Sequence, residues 1–286
     1  MGQETVFYFD ILGFRQKALG RAQDAVDALT DLATLLGTPA IAHLMGPWGG
    51  RYALSDSVFL THESPEMAVR QAATLVFNLV NMSLTQDEPL LVRGALVQGE
   101  VRHLKGIFLK SSEPANLVGQ AAVDAVALEE GSGLKGPRIL LSEELARSLP
   151  PSLVAWLLRP TSAPGVWEVL WPLPVEPKGV VDDAMEIKNL CDRALALLGT
   201  RGGHPTYGAH YRELLLLTVR CAARIARFRR EEALQLPPMS PFFTRAGVLA
   251  ACEATSGISD EYVTTLMRLV ERCDIGPDIA TARGSG

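Results

Sequence analysis

The chain has 286 residues, of which 48% are hydrophobic, 21% charged and 6% aromatic. This is the profile of an ordinary globular chain, one large domain or two small ones, and it excludes an intrinsically disordered one. The balance of 27 basic against 32 acidic residues leaves a net charge of −5, which argues against a general nucleic-acid footprint. A compact polyanion such as a nucleotide needs only a few local cations and stays open.

In chain order, Thr5 to Phe9 is a β-branched and aromatic run that reads as a strand, closed by Asp10 and followed by Gly13. Ala22 to Leu36 spaces Ala25, Leu29, Leu32 and Leu36 as a helix face, with Gly37 as its stop. Ile41 to Leu44 precedes a glycine-containing segment, Gly46 to Gly50. Arg51 to Leu60 then reads as a strand–turn–strand hairpin with Ser55-Asp56 at its tip. Pro65 opens a helix to about Leu84, since proline is tolerated in a first turn. Leu90 to Leu96 and Glu100 to Leu104 read as strands broken near Gly99. Asn116 to Glu130 reads as a helix ending at Gly131. Arg138 to Leu141, a short helix and Val166 to Leu173 complete the run.

Strands separated by helices, with hairpins among them, indicate an α/β (α+β) fold: a mixed sheet with flanking helices. Pro172, Pro174 and Pro177 mark a boundary, which gives a first domain of residues 1–174 and an extension of residues 175–286. The extension is expected to be all-helical, with helices over Asp182 to Leu198, His210 to Leu234, Ser240 to Thr255 and Ser259 to Cys273. Leu236 to Pro241 reads as an interhelix loop and Ala280 to Gly286 as a frayed end. Basic Arg220, Arg224, Arg227, Arg229 and Arg230 crowd one end of a helix, most simply as a solvated face favoured by the helix dipole.

No apolar run reaches the ~18 residues of a membrane span, and Met1 to Asp10 carries Glu4 and no basic segment, so neither an anchor nor a signal peptide is expected. Cys191, Cys221, Cys252 and Cys273 form no C-x-x-C pair, which points to reduced, buried thiols in a cytoplasmic protein.

There is no P-loop, G-x-G-x-x-G, H-E-x-x-H or G-x-S-x-G, so the commonest phosphate-loop, dinucleotide, zinc-protease and hydrolase readings fall away. What remains is a pair of acids at strand ends, Asp10 and Asp56. Two carboxylates on neighbouring strand tips can hold divalent ions, and Gly13 lets backbone amides approach a phosphate. By themselves these residues also suit turns and caps.

Several segments, taken in order, resemble the class III nucleotidyl cyclases. Phe9-Asp10-Ile11-Leu12-Gly13-Phe14 is similar to the family's first metal-binding strand, and Ser55-Asp56-Ser57 to its second metal-binding hairpin. Val92-Arg93-Gly94 through Gly99-Glu100-Val101 resembles the strand that follows. Val118-Gly119-Gln120 through Leu128-Glu129 resembles the late helix, and Arg138 to Glu144 and Gly165 to Leu173 the closing strands. The resemblance spans residues 4–173.

It implies a cyclase-like sheet and a homodimer with sites at its interface. It also implies two Mn²⁺ or Mg²⁺ ions on Asp10, Asp56 and the Ile11 carbonyl. The amides of Leu12, Gly13 and Phe14 would cradle phosphates, and Arg93 would grip the triphosphate. Tyr52 stands where purine cyclases read the base, and a tyrosine there resembles the pyrimidine cyclases of bacterial Pycsar antiphage systems. The implied activity converts UTP, or CTP, to its cyclic monophosphate as a second messenger, so the effector is reached through the product. A purine cyclase and an inactive nucleotide-binding regulator remain as alternatives.

The family's late-helix Asn and Arg are replaced here by Val123 and Ala127. Arg102, His103, Lys105 and Lys110 are candidates for the missing cation.

Overall fold

Side chains that branch at Cβ or carry rings favour a pleated, buried ladder, and the run Thr5 to Phe9 lies at the centre of strand β1 (Gly2–Ile11). The computed structural model describes residues 2–84, 89–105, 114–232 and 241–273. The expectations for residues 236–240, for Ala280 to Gly286 and for Lys110 lie outside those residues, as does the side chain of Lys105. The chain divides into two compact units, Met1–Val175 and Glu176–Gly286.

In the first unit, β1 is followed by helices α1 (Phe14–Gly20), α2 (Ala22–Gly37) and α3 (Pro39–Met45). The hairpin comes next, as β2 (Gly50–Leu54) and β3 (Ser57–His62), and then α4 (Pro65–Ser83). The Ser64 side chain caps α4 by accepting from the Met67 amide, with proline in the first turn. The chain continues through β4 (Val92–Lys105), β5 (Pro114–Val118), α5 (Gln120–Gly131) and β6 (Ile139–Ser142). Helices α6 (Glu143–Ser148) and α7 (Pro151–Leu157) lead to strands β7 (Leu158–Pro160) and β8 (Val166–Val169).

The eight strands form one sheet in the order β2-β3-β1-β4-β6-β8-β7, with β5 pairing on the far half of β4. All pairs are antiparallel except β4 with β6. The mixed sheet with flanking helices is therefore present as expected.

Alternation along β1 divides its side chains between two faces. Val6 and Tyr8 pack with Val97, Val101, Ala121 and Ala125 under α5. Phe7 and Phe9, both fully buried, point to the opposite face, where Trp48 stacks on Phe7. At the other end of the sheet two buried tryptophans have their indole N–H groups satisfied, Trp156 by the Pro174 carbonyl and Trp171 by that of Pro137, each at 2.7 Å. Buried Glu168 on β8 is paired with Arg138 and, at 2.5 Å, with Arg159.

Three local expectations change, and one unassigned segment gains an element. Gly99 does not break a strand: it pairs with Glu4 inside a continuous β4. A Cβ there would come within 3.2 Å of Ala121, so the glycine lets α5 close on the sheet. Asn116 to Val118 is strand, because it finds partners in Arg102 to Leu104, and the helix begins only after Gly119. Ile41 to Leu44, which the pattern leaves unassigned, lies inside α3, started by Pro39. The closing strand stops at Val169, and Leu158–Pro160 adds an edge strand that has no alternation to announce it.

The second unit holds α8 (Gly179–Arg201), α9 (Gly208–Glu232), α10 (Arg245–Ala254) and α11 (Asp260–Cys273), and no strand occurs among its described residues. Its core is apolar, with Leu190, Leu198, Leu214, Val219, Ile225 and Leu266 among the fully buried side chains. The Thr255 hydroxyl donates to the Leu198 carbonyl and the Tyr262 hydroxyl to that of Arg212, each at 2.7 Å. All four cysteines are buried, and none is in a disulfide. No single described helix is long and apolar enough to cross a membrane.

Candidate active site

The register of the sheet brings the two candidate aspartates together. Phe9 pairs with Val58, and Leu54 pairs with Ser57, which leaves Ser55-Asp56 as a two-residue hairpin loop beside the end of β1. Ser55 adopts a left-handed φ of 57°, the twist that such tight hairpins require. Gly13 follows β1 with φ 78°, which turns the chain straight into α1.

Asp10, on the same face as Tyr8, is the hub of a polar cluster. Arg93, its register partner on β4, donates from Nε to Asp10 Oδ1 at 3.1 Å, and the same nitrogen lies 2.7 Å from Glu129 Oε1. The Tyr8 hydroxyl bonds with the side chains of Asp10 and Ser57. Burial raises the Asp10 carboxyl above its ordinary value; Arg93 opposes this and the charge of Asp56 adds to it. Burial likewise lifts Glu129 to about 7, against the pull of Arg93.

The donors here are all oxygens, with two carboxylates close enough to repel each other, which suits a hard divalent cation. Among the described residues no three His, Cys, Asp or Glu side chains form a closed metal-ligating group. Further ligands would be phosphate or water oxygens, the usual completion of a Mg²⁺ site.

Of the three amides expected to face phosphate, that of Leu12 is already engaged. It donates to the Leu91 carbonyl at 2.9 Å and extends the β1–β4 ladder. Gly13 and Phe14 remain, at the start of α1, where first-turn amides lack helical acceptors.

Tyr52 lies on the same face, in line with Phe59 and Tyr8. It lines an open groove of about 310 Å³ whose walls include Leu54, Phe59, Leu117, Val123 and Val126. Its hydroxyl is hydrogen-bonded to His103 Nδ1, and His103 Nε2 lies 2.9 Å from Glu4 Oε1. Val123 and Ala127, which stand for the missing late-helix pair, are both exposed.

Arg102 is exposed, and His103 is tied to Tyr52 and Glu4 rather than to the Asp10 cluster. Sequence reasoning did not single out Glu129, Glu4 or Tyr8. For Glu129 a signal existed: it continues the buried stripe Ala121–Ala125 at four-residue spacing, and an acid on a buried stripe needs a partner.

No protein-family model matches the chain, and no curated protein does. Among solved structures it is similar to a Trypanosoma brucei adenylate cyclase in its monomeric state, at 15% identity over 60% of this chain and 90% of that one, with a TM-score of 0.44. A second such structure from the same organism gives 15%, 59%, 88% and 0.42. A bacterial light-regulated adenylyl cyclase gives 14% identity over 59% of this chain and 51% of that one, with a TM-score of 0.39.

Proposed function

We propose that residues 1–174 form a metal-dependent nucleotidyl cyclase. The 3′-hydroxyl of a nucleoside triphosphate attacks its own α-phosphorus in line, and the new P–O bond closes the cyclic monophosphate as pyrophosphate leaves. The observation that carries this reading is the meeting of Asp10 and Asp56 at neighbouring strand ends, on a sheet face that also holds a groove lined by Tyr52. Divalent cations on Asp10, Asp56 and the Ile11 carbonyl would supply Lewis-acid charge at the phosphates.

The chain's own groups divide the remaining work. Arg93, with its side chain 31% exposed, is the cation beside Asp10 that meets the triphosphate. The amides of Gly13 and Phe14 receive phosphate oxygens. Tyr52 meets the base, and its ring narrows the groove in favour of a pyrimidine, UTP ahead of CTP. The product would then act as a second messenger in bacterial antiphage defence, in the cytoplasm. Leu54 and Val123, 74% and 62% exposed, both line the groove, which supports a homodimer that covers it.

One observation favours a second reading, a nucleotide-binding regulator without turnover. The exposed late-helix positions Val123 and Ala127 offer neither an amide nor a guanidinium to the transition state.

The test is a product assay with Mn²⁺ and each of ATP, GTP, CTP and UTP, read by mass. Cyclic UMP or cyclic CMP that disappears in Asp56→Ala is the expected result. Cyclic AMP or cyclic GMP would move the assignment to a purine cyclase. Metal-dependent binding with no product from any triphosphate would leave the regulator.

A further inference from the structure

Tyr52 does not stand alone at the groove. Three strands each contribute one member of a hydrogen-bonded chain: Glu4 from β1, His103 from β4 and Tyr52 from β2. Glu4 Oε1 lies 2.9 Å from His103 Nε2, and the Tyr52 hydroxyl meets His103 Nδ1, with the two ring planes 18° apart. The side chains of Glu4 and His103 are only 17% and 28% exposed.

Room for the chain is made at Gly50. A Cβ on that residue would come within 2.9 Å of both His103 Cε1 and Tyr52 Cε2. Any larger residue would push the two rings apart.

The chemistry of the members fixes the direction of their protons. An ionised carboxylate only accepts, so the imidazole nitrogen facing Glu4 carries the N–H. In the neutral imidazole the other nitrogen is then a bare acceptor; this tautomer is assigned from the network. The Tyr52 proton therefore points at Nδ1. Burial, and then the charge of Glu4, hold the phenol above its ordinary pKa, so the proton stays on oxygen. What Tyr52 turns toward the groove is the remaining lone-pair capacity of its oxygen.

We infer that Glu4 and His103 are positioning residues that make Tyr52 a hydrogen-bond acceptor toward the base, and that this selects uracil over cytosine. The inference rests on the cyclase reading of the groove. The inferred contact sets the Tyr52 oxygen against the base's 3-position, since at the 4-position an acceptor would favour cytosine's amino group: uracil carries N3–H, which an acceptor receives. Cytosine carries a bare N3, which sets lone pair against lone pair. Tyr52 alone could serve either base, because a free hydroxyl rotates to donate or to accept; held by His103, it cannot.

The experiment measures kcat/KM for UTP and CTP in the full-length protein and in three variants. His103→Leu removes the acceptor and frees the hydroxyl, so the UTP:CTP ratio is expected to fall roughly tenfold, about the worth of one net hydrogen bond. His103→Asn keeps an oxygen acceptor near the Nδ1 position and should restore most of the ratio. Glu4→Gln lets an amide donate to Nε2 and turn the tautomer over, which should shift the ratio toward CTP. A loss of kcat/KM equal for both substrates, with the ratio unchanged in His103→Leu, would make the chain merely structural and overturn the inference. So would a wild-type preference for CTP.

Two further readouts separate this inference from the cyclase reading. Nitrogen chemical shifts of His103 report its tautomer without any substrate, and protonation at Nδ1 instead of Nε2 overturns the inference whatever the turnover. If no triphosphate is cyclised, the ratio of dissociation constants for UTP and CTP in Ca²⁺ replaces that of kcat/KM: a UTP preference lost in His103→Leu keeps the inference while the cyclase reading fails. Failure to bind either triphosphate overturns both.

Discussion

The sheet unit and the helical unit bury different kinds of side chain. Every buried charged residue among those described, Glu129, Arg138 and Glu168, lies in the first unit. Among its described residues the second unit buries Thr218, Thr255, Tyr211, Met267, its four thiols and otherwise hydrocarbon. A buried hydroxyl in a helix can return its proton to a carbonyl one turn back, as Thr218 does to Leu215. A buried charge has no such local remedy and needs partners from other elements. The sheet supplies them by bringing distant strands into register. Chemistry collects where that is possible, and the helical unit, which is held by packing, has no comparable cluster among its described residues.

The sharpest way to break this contrast is at the Asp10 cluster. Asp10→Asn keeps the side chain's size and removes its charge; product formation should fall ~10²–10³-fold in the mass assay with little change in thermal melting. Wild-type turnover in a variant that melts like wild type would remove the Asp10 charge from the chemistry, and wild-type turnover with lowered melting would make the cluster structural only.

Glu168→Leu is next in size. It leaves Arg138 and Arg159 without their shared carboxylate in a buried site, a change that typically costs about 3–5 kcal/mol. Chemical denaturation should show the loss in the transition of the first unit, and an unchanged midpoint there would remove the argument.

Glu129 gives a smaller effect with a definite sign. Its carboxyl titrates at about 7 in the folded protein, above the usual carboxylate range, so the folded state holds its proton longer than the unfolded state does. Stability should therefore fall as pH climbs from about 4.5 to about 7, and Glu129→Gln should flatten that slope in metal-free protein. A slope that persists in the variant would assign it to other groups.

The smallest effect belongs to the helical unit. Burial pushes the Cys191 thiol well above its ordinary value and Cys273 to about 12. Native protein at pH 8 should thus take up alkylating reagent slowly at both, and denatured protein rapidly at all four. Rapid native labelling of Cys191 would mean that this core opens readily.

Much of this was legible in the sequence where the cause is local. The β-branched run at Thr5 to Phe9, the Ser55-Asp56 tip between short strands, and Pro65 after a capping Ser64 each declare themselves within a few residues. The failures have distant causes. Gly99 looked like a break because the reason for a glycine there is Ala121 on α5, and Asn116 to Val118 looked helical because its strand partners begin at Arg102. The same holds at the site. Asp10 and Asp56 could be paired from a hairpin and one strand, whereas His103 lies 51 positions from Tyr52 and 99 from Glu4. No spacing rule reaches that far; only the register of β1, β2 and β4 does.

The grip of Asp10 and Glu129 on Arg93 has a consequence for how the site fills. The protein arrives with a resident counter-ion. A cation reaching Asp10 competes with a guanidinium, and a phosphate reaching Arg93 competes with two carboxylates. Each arrival releases the group that the other needs, so occupation becomes an ion exchange in which the incoming pair favours one another, and the linkage is reciprocal. Triphosphate should tighten the hold on divalent ions by the same factor by which divalent ions tighten the hold on triphosphate.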